Sequence, residues 1–176
     1  LAVVADGIGG LSDGATASRI AIDTIREAYF DSDLEPPAAL KAAVLKANLL
    51  IFKHARGLPE QDSMGSTVTA LAIFQDHACV AHVGDSRAYR LPPADPLRRL
   101  THDHTWVEEL AKRGELDPGS RQYSLHRNVL TRGLGLRDDV EVDRLELEDV
   151  VPGDMFLLCS DGLHEMVEEA EMEARL

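Results

Sequence analysis

An apolar strand that stops at an Asp-Gly pair is encoded near the start of the sequence by Val3-Val4-Ala5-Asp6-Gly7-Ile8-Gly9-Gly10. The same pattern recurs near the other end, in Leu157-Leu158-Cys159-Ser160-Asp161-Gly162. A buried strand that ends in a carboxylate places an oxygen ligand at the edge of a sheet, and the glycine lets the backbone turn sharply and approach a ligand closely. Two such strand ends, brought together in space, would hold a hard divalent metal ion.

The composition predicts a single globular domain with its own core. The chain has 176 residues, of which 44% are hydrophobic, and this is enough to bury a core. Its net charge of −13 argues against nucleic acid or an anionic membrane surface as a partner. Cys79 and Cys159 lie in apolar runs, which predicts buried free thiols in a reducing cytoplasm. A cytoplasmic monomer is the default expectation.

The hydrophobic pattern predicts helices early in the chain and strands in the middle. Residues 6–14 and 57–63 are predicted to be loops. The three strands Thr67–Phe74, His77–Val83 and Ser86–Leu91 are joined by short turns, which predicts an antiparallel meander. This order favours an α+β fold with antiparallel sheets over alternating βαβ units. The predicted helices are Ala15–Phe30, Ala38–Ala55 and Thr105–Arg113, and a further helix opens at Asp161–Val167. The predicted strands are Leu1–Ala5, Thr67–Phe74, His77–Val83, Ser86–Leu91, Val140–Leu147 and Met155–Cys159.

Three aspartates share one context, because Asp6, Asp85 and Asp161 each follow a strand-like apolar run. For any one of them, ordinary turn chemistry would be the simpler interpretation. Three together favour a metal site, since uncompensated carboxylates at one end of a sheet repel one another without a cation. Ligands that are all oxygens suit Mg²⁺ or Mn²⁺ rather than zinc.

Other candidate motifs are weaker. The pair His102-x-His104 is the nearest approach to zinc-type spacing, but polar loop residues around Asp103 are the simpler interpretation. The glycines of residues 7–10 lack the Lys-Ser/Thr of a phosphate-binding P-loop. No serine has an obvious base partner in the sequence, although hydrolysis by a metal-activated water needs no protein nucleophile.

Six ordered motifs carry a resemblance to a known family over nearly the whole chain. On these motifs the sequence resembles the bacterial PPM family, the type 2C metal-dependent protein serine/threonine phosphatases. The motifs are Val4-Ala5-Asp6-Gly7-Ile8-Gly9-Gly10, Met64-Gly65-Ser66-Thr67, His82-Val83-Gly84-Asp85-Ser86-Arg87-Ala88-Tyr89, Leu100-Thr101-His102-Asp103-His104, Asn128-Val129-Leu130-Thr131-Arg132-Gly133-Leu134-Gly135, and Gly153-Asp154 followed by Leu157–Leu163.

The resemblance implies a fold and a site. The implied fold is α+β, with two antiparallel β-sheets packed face to face and flanking helices in a four-layer αββα sandwich. Residues 1–176 would form a single catalytic domain, with a mobile flap at about residues 100–127. Asp6 would bridge two metal ions, with the carbonyl of Gly7 as a further ligand. Asp161 would bind the second ion, and Asp85 with Asp161 a third, so that Mg²⁺ or Mn²⁺ binds as two ions or three.

The catalytic residues implied by the resemblance are Asp6 and Asp161, which would hold a water for in-line attack on phosphorus. The implied substrates are phosphoserine and phosphothreonine on phosphorylated proteins, including those made by a partner serine/threonine kinase. Two alternatives stay open. One is an inactive regulatory module that binds a partner, and the other is a small-molecule phosphohydrolase with the same metal chemistry.

The sequence departs from the family pattern at several points. The family has an upstream strand with a phosphate-binding arginine and an acidic residue, and a last strand with an Asp-Asn pair. Neither is present in this sequence, so both ends look cut and the fold is expected to be incomplete there. Ile8 stands where eukaryotic members have a histidine. Arg19, Arg87 and Arg132 are candidate replacement phosphate ligands, although structural ion pairing is the simpler expectation for each.

Overall fold

The computed structural model describes residues 1–8, 13–56 and 64–176. Its strands are β1 (Ala2–Val4), β2 (Gly7–Ile8), β3 (Gly65–Ser66), β4 (Val68–Phe74), β5 (His77–Val83), β6 (Arg87–Leu91), β7 (Arg98–Arg99), β8 (Asp143–Leu147) and β9 (Met155–Cys159). Its helices are α1 (Asp13–Phe30), α2 (Pro36–Ala55), α3 (Trp106–Lys112), α4 (Arg121–His126), α5 (Asp161–His164) and α6 (Glu169–Arg175).

The first sheet has four antiparallel strands in the order β1-β4-β5-β8. Strands β4 and β5 form a hairpin that pairs Phe74 with His77 around the turn at Gln75 and Asp76. Gln75 takes a left-handed conformation, with φ of 57°, as the residues of a tight hairpin turn often do. The predicted hairpin is therefore confirmed.

Helices α1 and α2 cover one face of this sheet. Residues three or four apart along each helix are fully buried, including Ala17, Ala21 and Ile25 on α1. They pack against the side chains that alternate toward them from β4 and β5, such as Val68 and Val83. Burying an aliphatic side chain of this size contributes about 1.5–3 kcal/mol. Both long helices confirm the prediction, with α1 beginning at Asp13 and α2 at Pro36.

The second sheet has the strand order β7-β6-β9, and it corrects one prediction. The meander was expected to continue from β5 into β6, but β6 pairs with β7 and β9 instead. The chain leaves the first sheet at Gly84, whose φ of +111° lies in a region that favours glycine. The turn therefore carries the chain across to the other sheet rather than back along β5.

The two sheets pack face to face through a second apolar cluster. Leu71, Val80 and Leu145 of the first sheet meet Ala88 and Leu158 of the second. Leu157, which alternates to the opposite face of β9, lines a surface cleft with residues of α5 and α6. The predicted α+β architecture of two antiparallel sheets with flanking helices is thus confirmed. No helix among the described residues combines the length and the apolar character needed to cross a bilayer.

Short elements were missed by the sequence patterns. Residues 6–14 were predicted to be a loop, but Gly7–Ile8 forms β2, paired with β3, and α1 already begins at Asp13. The predicted loop at residues 57–63 lies outside the described residues. Helix α4 was also missed, although Ser120 caps it by accepting a hydrogen bond from the Tyr123 backbone N–H at 3.1 Å. Two-residue strands and one-turn helices depend on tertiary contacts that local patterns do not encode.

The buried cysteines confirm the prediction of free thiols. Cys79 and Cys159 are both buried and form no disulfide. Burial raises the pKa of the Cys79 thiol to about 11. A thiol with so high a pKa carries little thiolate at neutral pH and is therefore unreactive.

Candidate metal centre

The three aspartates lie on three separate segments that meet between the two sheets. Asp6 lies between β1 and β2, Asp85 lies in the turn between β5 and β6, and Asp161 is the first residue of α5. All three are half-buried. The charge of Asp161 raises the pKa values of Asp6 and Asp85, and the charge of Asp6 also raises that of Asp85. The structure therefore brings together the carboxylates that the sequence singled out.

Asp6 and Asp161 interact most closely. Burial raises the pKa of Asp6, and repulsion by Asp161 and a hydrogen bond with its carboxylate raise it further. The backbone N–H of Gly7 acts in the opposite direction but is the weaker influence. Two carboxyl groups that lie close together disfavour ionisation of both at once.

Asp85 is shifted in the same direction. Burial raises its pKa to about 6, with further contributions from the negative charges of Asp161, Asp103 and Asp6. Within the described ranges, no three His, Cys, Asp or Glu side chains converge closely enough to hold an ion as they stand. The three carboxylates therefore interact pairwise, and their oxygen donors are of the kind that Mg²⁺ and Mn²⁺ prefer. The residues fit a divalent cation by charge and by donor chemistry.

Hydrogen bonds hold the backbone at Asp6. Its N–H donates to Thr67 Oγ1 at 3.0 Å, and its carbonyl accepts from the Ser66 hydroxyl at 3.0 Å. The Thr67 N–H donates to the same carbonyl at 2.8 Å. The sequence identified Ser66 and Thr67 only as members of a motif, and the structure shows that they fix the position of the first aspartate.

The same threonine links Asp6 to the turn that carries Asp85. The hydroxyls of Thr67 and Ser86 lie 2.6 Å apart, and Thr69 Oγ1 donates to the Ser86 carbonyl at 2.7 Å. Thr67 and Thr69 share one face of the chain because side chains alternate along an extended segment. The two-residue spacing of these threonines is the feature of the sequence that could have indicated their shared contacts with Ser86.

The glycines next to the aspartates have different roles. A Cβ on Gly7 would lie 2.2 Å from the Gly14 carbonyl oxygen, so glycine is needed there for close packing against α1. A Cβ on Gly84 would lie 2.7 Å from Thr67 Cβ, at a backbone position that already favours glycine. A Cβ on Gly162 would come no closer than 3.7 Å to Ser160 Oγ. Gly162 lies in the first turn of α5, where the sequence predicts a helix that begins at Asp161.

The two histidines of the His102-x-His104 pair do not act together. His102 is exposed, and His104 is buried, where its Nδ1 accepts a hydrogen bond from the Gly84 N–H at 3.0 Å. His104 Nε2 lies 3.1 Å from Asp143 Oδ2, and its ring packs against that of His82 at 4.7 Å between centroids. Both residues lie in a loop, as predicted, and His104 in addition supports the Asp85 turn from within the core.

The candidate phosphate-binding arginines have other surroundings. Arg87 forms a bidentate pair with the buried Asp103, at 2.7 Å from NH2 to Oδ2, and Arg99 contacts the same carboxylate. Arg132 pairs with Asp143 at 2.7 Å. Arg19 is exposed on α1. Structural ion pairing, the simpler expectation, is confirmed for Arg87 and Arg132.

Known proteins resemble this chain over nearly its whole length. The sequence pattern of the family described as protein phosphatase 2C matches residues 1–176. The chain is 37% identical to the serine/threonine phosphatase stp of Listeria innocua, over 98% of the chain and 70% of that protein. It is 35% identical to the serine/threonine protein phosphatase PstP of Mycobacterium tuberculosis, over 99% of the chain and 34% of that protein.

Solved structures agree with the sequence comparison. A crystal structure of Mycobacterium tuberculosis PstP/Ppp has a TM-score of 0.86 at 30% identity, covering 98% of this chain and 72% of that one. The catalytic domain of PstP in complex with two manganese ions has a TM-score of 0.83, also at 30% identity, covering 98% of this chain and 71% of that one. Sequence and fold therefore agree, and the chain belongs to the protein phosphatase 2C family.

Proposed function

We propose that this chain hydrolyses phosphoserine and phosphothreonine on proteins with a water activated by Mg²⁺ or Mn²⁺. The observation that carries the proposal is the set of Asp6, Asp85 and Asp161. Burial and the charge of Asp161 raise the pKa values of Asp6 and Asp85, and no cationic side chain is among the causes of either shift. The names of the related serine/threonine phosphatases support the substrate class. The two manganese ions of the related PstP structure support the use of a divalent cation.

Each carboxylate has a role in this proposal. Asp6 would bridge two ions, with the carbonyl of Gly7 as a neighbouring ligand, and Asp161 would bind the second ion. Asp85 and Asp161 would hold a third. When bound, the cations supply a water of lowered pKa and neutralise phosphoryl oxygens. Because a carboxylate must be ionised to bind a cation, protons and cations would compete for Asp6, and the affinity for the cation would fall as the pH falls.

The segment at residues 100–127 would form one wall of the substrate site. A cleft of about 240 Å³ separates Asp85 from this segment and is lined by Tyr123 of α4 and by Arg127. The Tyr123 hydroxyl donates to Glu108 at 2.7 Å, so that α3 and α4 form one unit beside the cleft. We place the protein substrate, including one phosphorylated by a partner kinase, against this wall of a single catalytic domain.

Phosphate release from a phosphothreonine peptide, measured with and without Mn²⁺ or Mg²⁺, tests the function. Turnover should require the cation. Asp161→Asn should lower kcat/KM by at least about 100-fold, because charge stabilisation at the reacting centre is lost. The matched control is Asp33→Asn, which removes an exposed carboxylate between α1 and α2 and should retain full activity.

Three outcomes would replace the proposal. Metal-independent turnover, or full activity of Asp161→Asn, would remove the metal mechanism. Faster turnover of a sugar phosphate than of the peptide would indicate a small-molecule phosphohydrolase. Binding of the phosphopeptide without turnover would indicate a regulatory module.

A further inference from the structure

Helix α5 carries two functional groups on one side. It spans only Asp161–His164, and side chains three residues apart on a helix lie on the same face. The Asp161 carboxylate therefore begins the turn, and the His164 imidazole ends it on the same side. The backbone closes this turn with a hydrogen bond from the Glu165 N–H to the Asp161 carbonyl at 2.9 Å.

His164 reaches from α5 to the segment that carries Asp85. Its Nε2 donates a hydrogen bond to the Asp85 backbone carbonyl at 3.0 Å, across 79 residues of sequence. The imidazole is half-buried and lines the cleft beside Asp85. The contact therefore joins the two segments that present Asp85 and Asp161, close to both carboxylates.

Each of the two joined segments carries a carboxylate of the proposed site. Like charges that share one site repel each other unless a cation lies between them, so the two segments need contacts that hold them together. A hydrogen bond from a neutral ring to a backbone carbonyl supplies such a contact without adding a charge to the cluster. The Asp85 turn is also held from the other side, where His104 accepts the Gly84 N–H.

We propose that His164 is a positioning residue that fixes the spacing of Asp85 and Asp161 for a shared divalent cation. The inference rests on the proposed metal site, and it assigns to His164 a role in metal affinity rather than in the chemical step. Residues that orient metal ligands typically change affinity about 10-fold to 100-fold when they are removed.

The two informative variants are His164→Leu and His164→Gln. Leucine fills similar space but has no donor, whereas the amide nitrogen of glutamine lies close to the position of the histidine Nε2 and keeps the hydrogen bond. The matched control is His77→Leu, which removes a half-buried histidine paired with Asp76 at the β4–β5 turn. Far-UV circular dichroism and urea denaturation would establish that each variant is folded.

Isothermal titration with Mn²⁺ alone is the primary readout. We expect the dissociation constant of the weakest Mn²⁺ site to rise about 10-fold in His164→Leu and to stay near the wild-type value in His164→Gln and His77→Leu. In the peptide assay, His164→Leu should need more Mn²⁺ for half-maximal rate but should approach the wild-type kcat at saturating Mn²⁺.

Each result has a distinct meaning. Equal Mn²⁺ affinity in wild type and His164→Leu would overturn the inference and leave the proposed function intact. Equal losses in His164→Leu and His164→Gln would also overturn it, because the ring would then act through packing rather than through its donor. Failure of the wild-type protein to bind Mn²⁺ would instead remove the proposed function itself.

Discussion

Aspartates near the two ends of strand β6 have opposite electrostatic surroundings. Before the strand, Asp85 faces other carboxylates, and burial together with their charge raises its pKa to about 6. Near the far end, the Arg90 guanidinium donates to Asp154 at 2.7 Å and to Asp149 at 2.9 Å. The hydrogen bond from Arg90 to Asp154 holds the pKa of Asp154 below its usual range. The carboxylate near the far end is therefore compensated by a cationic side chain, whereas Asp85 lies among other carboxylates and is uncompensated.

This difference separates carboxylates with a structural role from those that we propose to bind a cation. Asp154 is almost fully buried with Arg90, and Asp103 is buried with Arg87 and Arg99, so each negative charge has a cationic partner in the fold. Burial of charge without such a partner costs free energy. A protein that retains an uncompensated cluster such as that of Asp6, Asp85 and Asp161 sacrifices stability that a bound cation would restore.

The largest change in stability is expected from removing the ion pair between Arg90 and Asp154. Asp154→Leu leaves the Arg90 guanidinium buried without its main partner, so the free energy of unfolding should fall by about 3–5 kcal/mol. Urea denaturation monitored by the single tryptophan would measure it. Asp149→Asn, at an exposed partner of the same arginine, should cost much less. Equal costs for the two variants would contradict the assignment of Asp154 as the structural partner.

The next largest effect is expected on the pH dependence of stability, and it comes from the buried His82. Burial, and then the neighbouring His104, lowers the pKa of His82 from 6.5 to about 4. The unfolded chain binds a proton at His82 below pH 6.5, and the folded protein does so only near pH 4. The stability that neutral His82 provides is therefore full above pH 6.5 and is lost as pH falls to 4, by about 3 kcal/mol.

Denaturation of metal-free wild type and His82→Gln between pH 7.5 and pH 4 isolates this contribution. The wild-type stability should fall more steeply through the window than that of the variant. Parallel curves would show that His82 does not titrate differently in the folded and unfolded states.

The smallest change in stability is expected from Asp85→Asn. Its sign is opposite to that of Asp154→Leu, because the variant should become more stable. Because the folded pKa of Asp85 is raised from 3.8 to about 6, its favourable contribution is full below pH 3.8 and is lost as pH rises through 6. At pH 7.5 the metal-free Asp85→Asn variant should therefore be more stable than wild type by about 1–2 kcal/mol, after allowance for solvent screening. Asp33→Asn should not change stability. If the metal-free Asp85→Asn protein were less stable than wild type, Asp85 would not be an uncompensated carboxylate and its contrast with Asp154 would be wrong.

The sequence predicts the strongly patterned elements and the acidic residues of the site. Strands β5 and β9 match their predicted bounds because each is a short apolar run between turn residues. The three aspartates were found because they share one local context. Membership of a sheet was not predictable in the same way. Nothing in the local pattern of residues 86–91 distinguishes pairing with β5 from pairing with β9, and the left-handed backbone at Gly84 decides it.

The contacts that support the aspartates were also beyond the sequence. The Thr67–Ser86 bridge joins residues 19 apart, and the bond from His164 to Asp85 spans 79 residues. Each depends on how the two sheets are placed against each other. Residue types and their local spacing therefore identify the candidate metal ligands, whereas the groups that hold them in place become visible only in three dimensions.

The most direct test of the central claim is the thermal unfolding of metal-free wild-type protein titrated with Mn²⁺ at pH 7.5. A ligand that binds only the folded state at 100 times its dissociation constant adds about 2.7 kcal/mol of stability. We predict a rise in Tm that grows with Mn²⁺ concentration, is much smaller at pH 5, and is largely lost in Asp161→Asn. A Tm that does not respond to Mn²⁺, or responds equally in Asp161→Asn, would contradict the assignment of the uncompensated aspartates as a cation site.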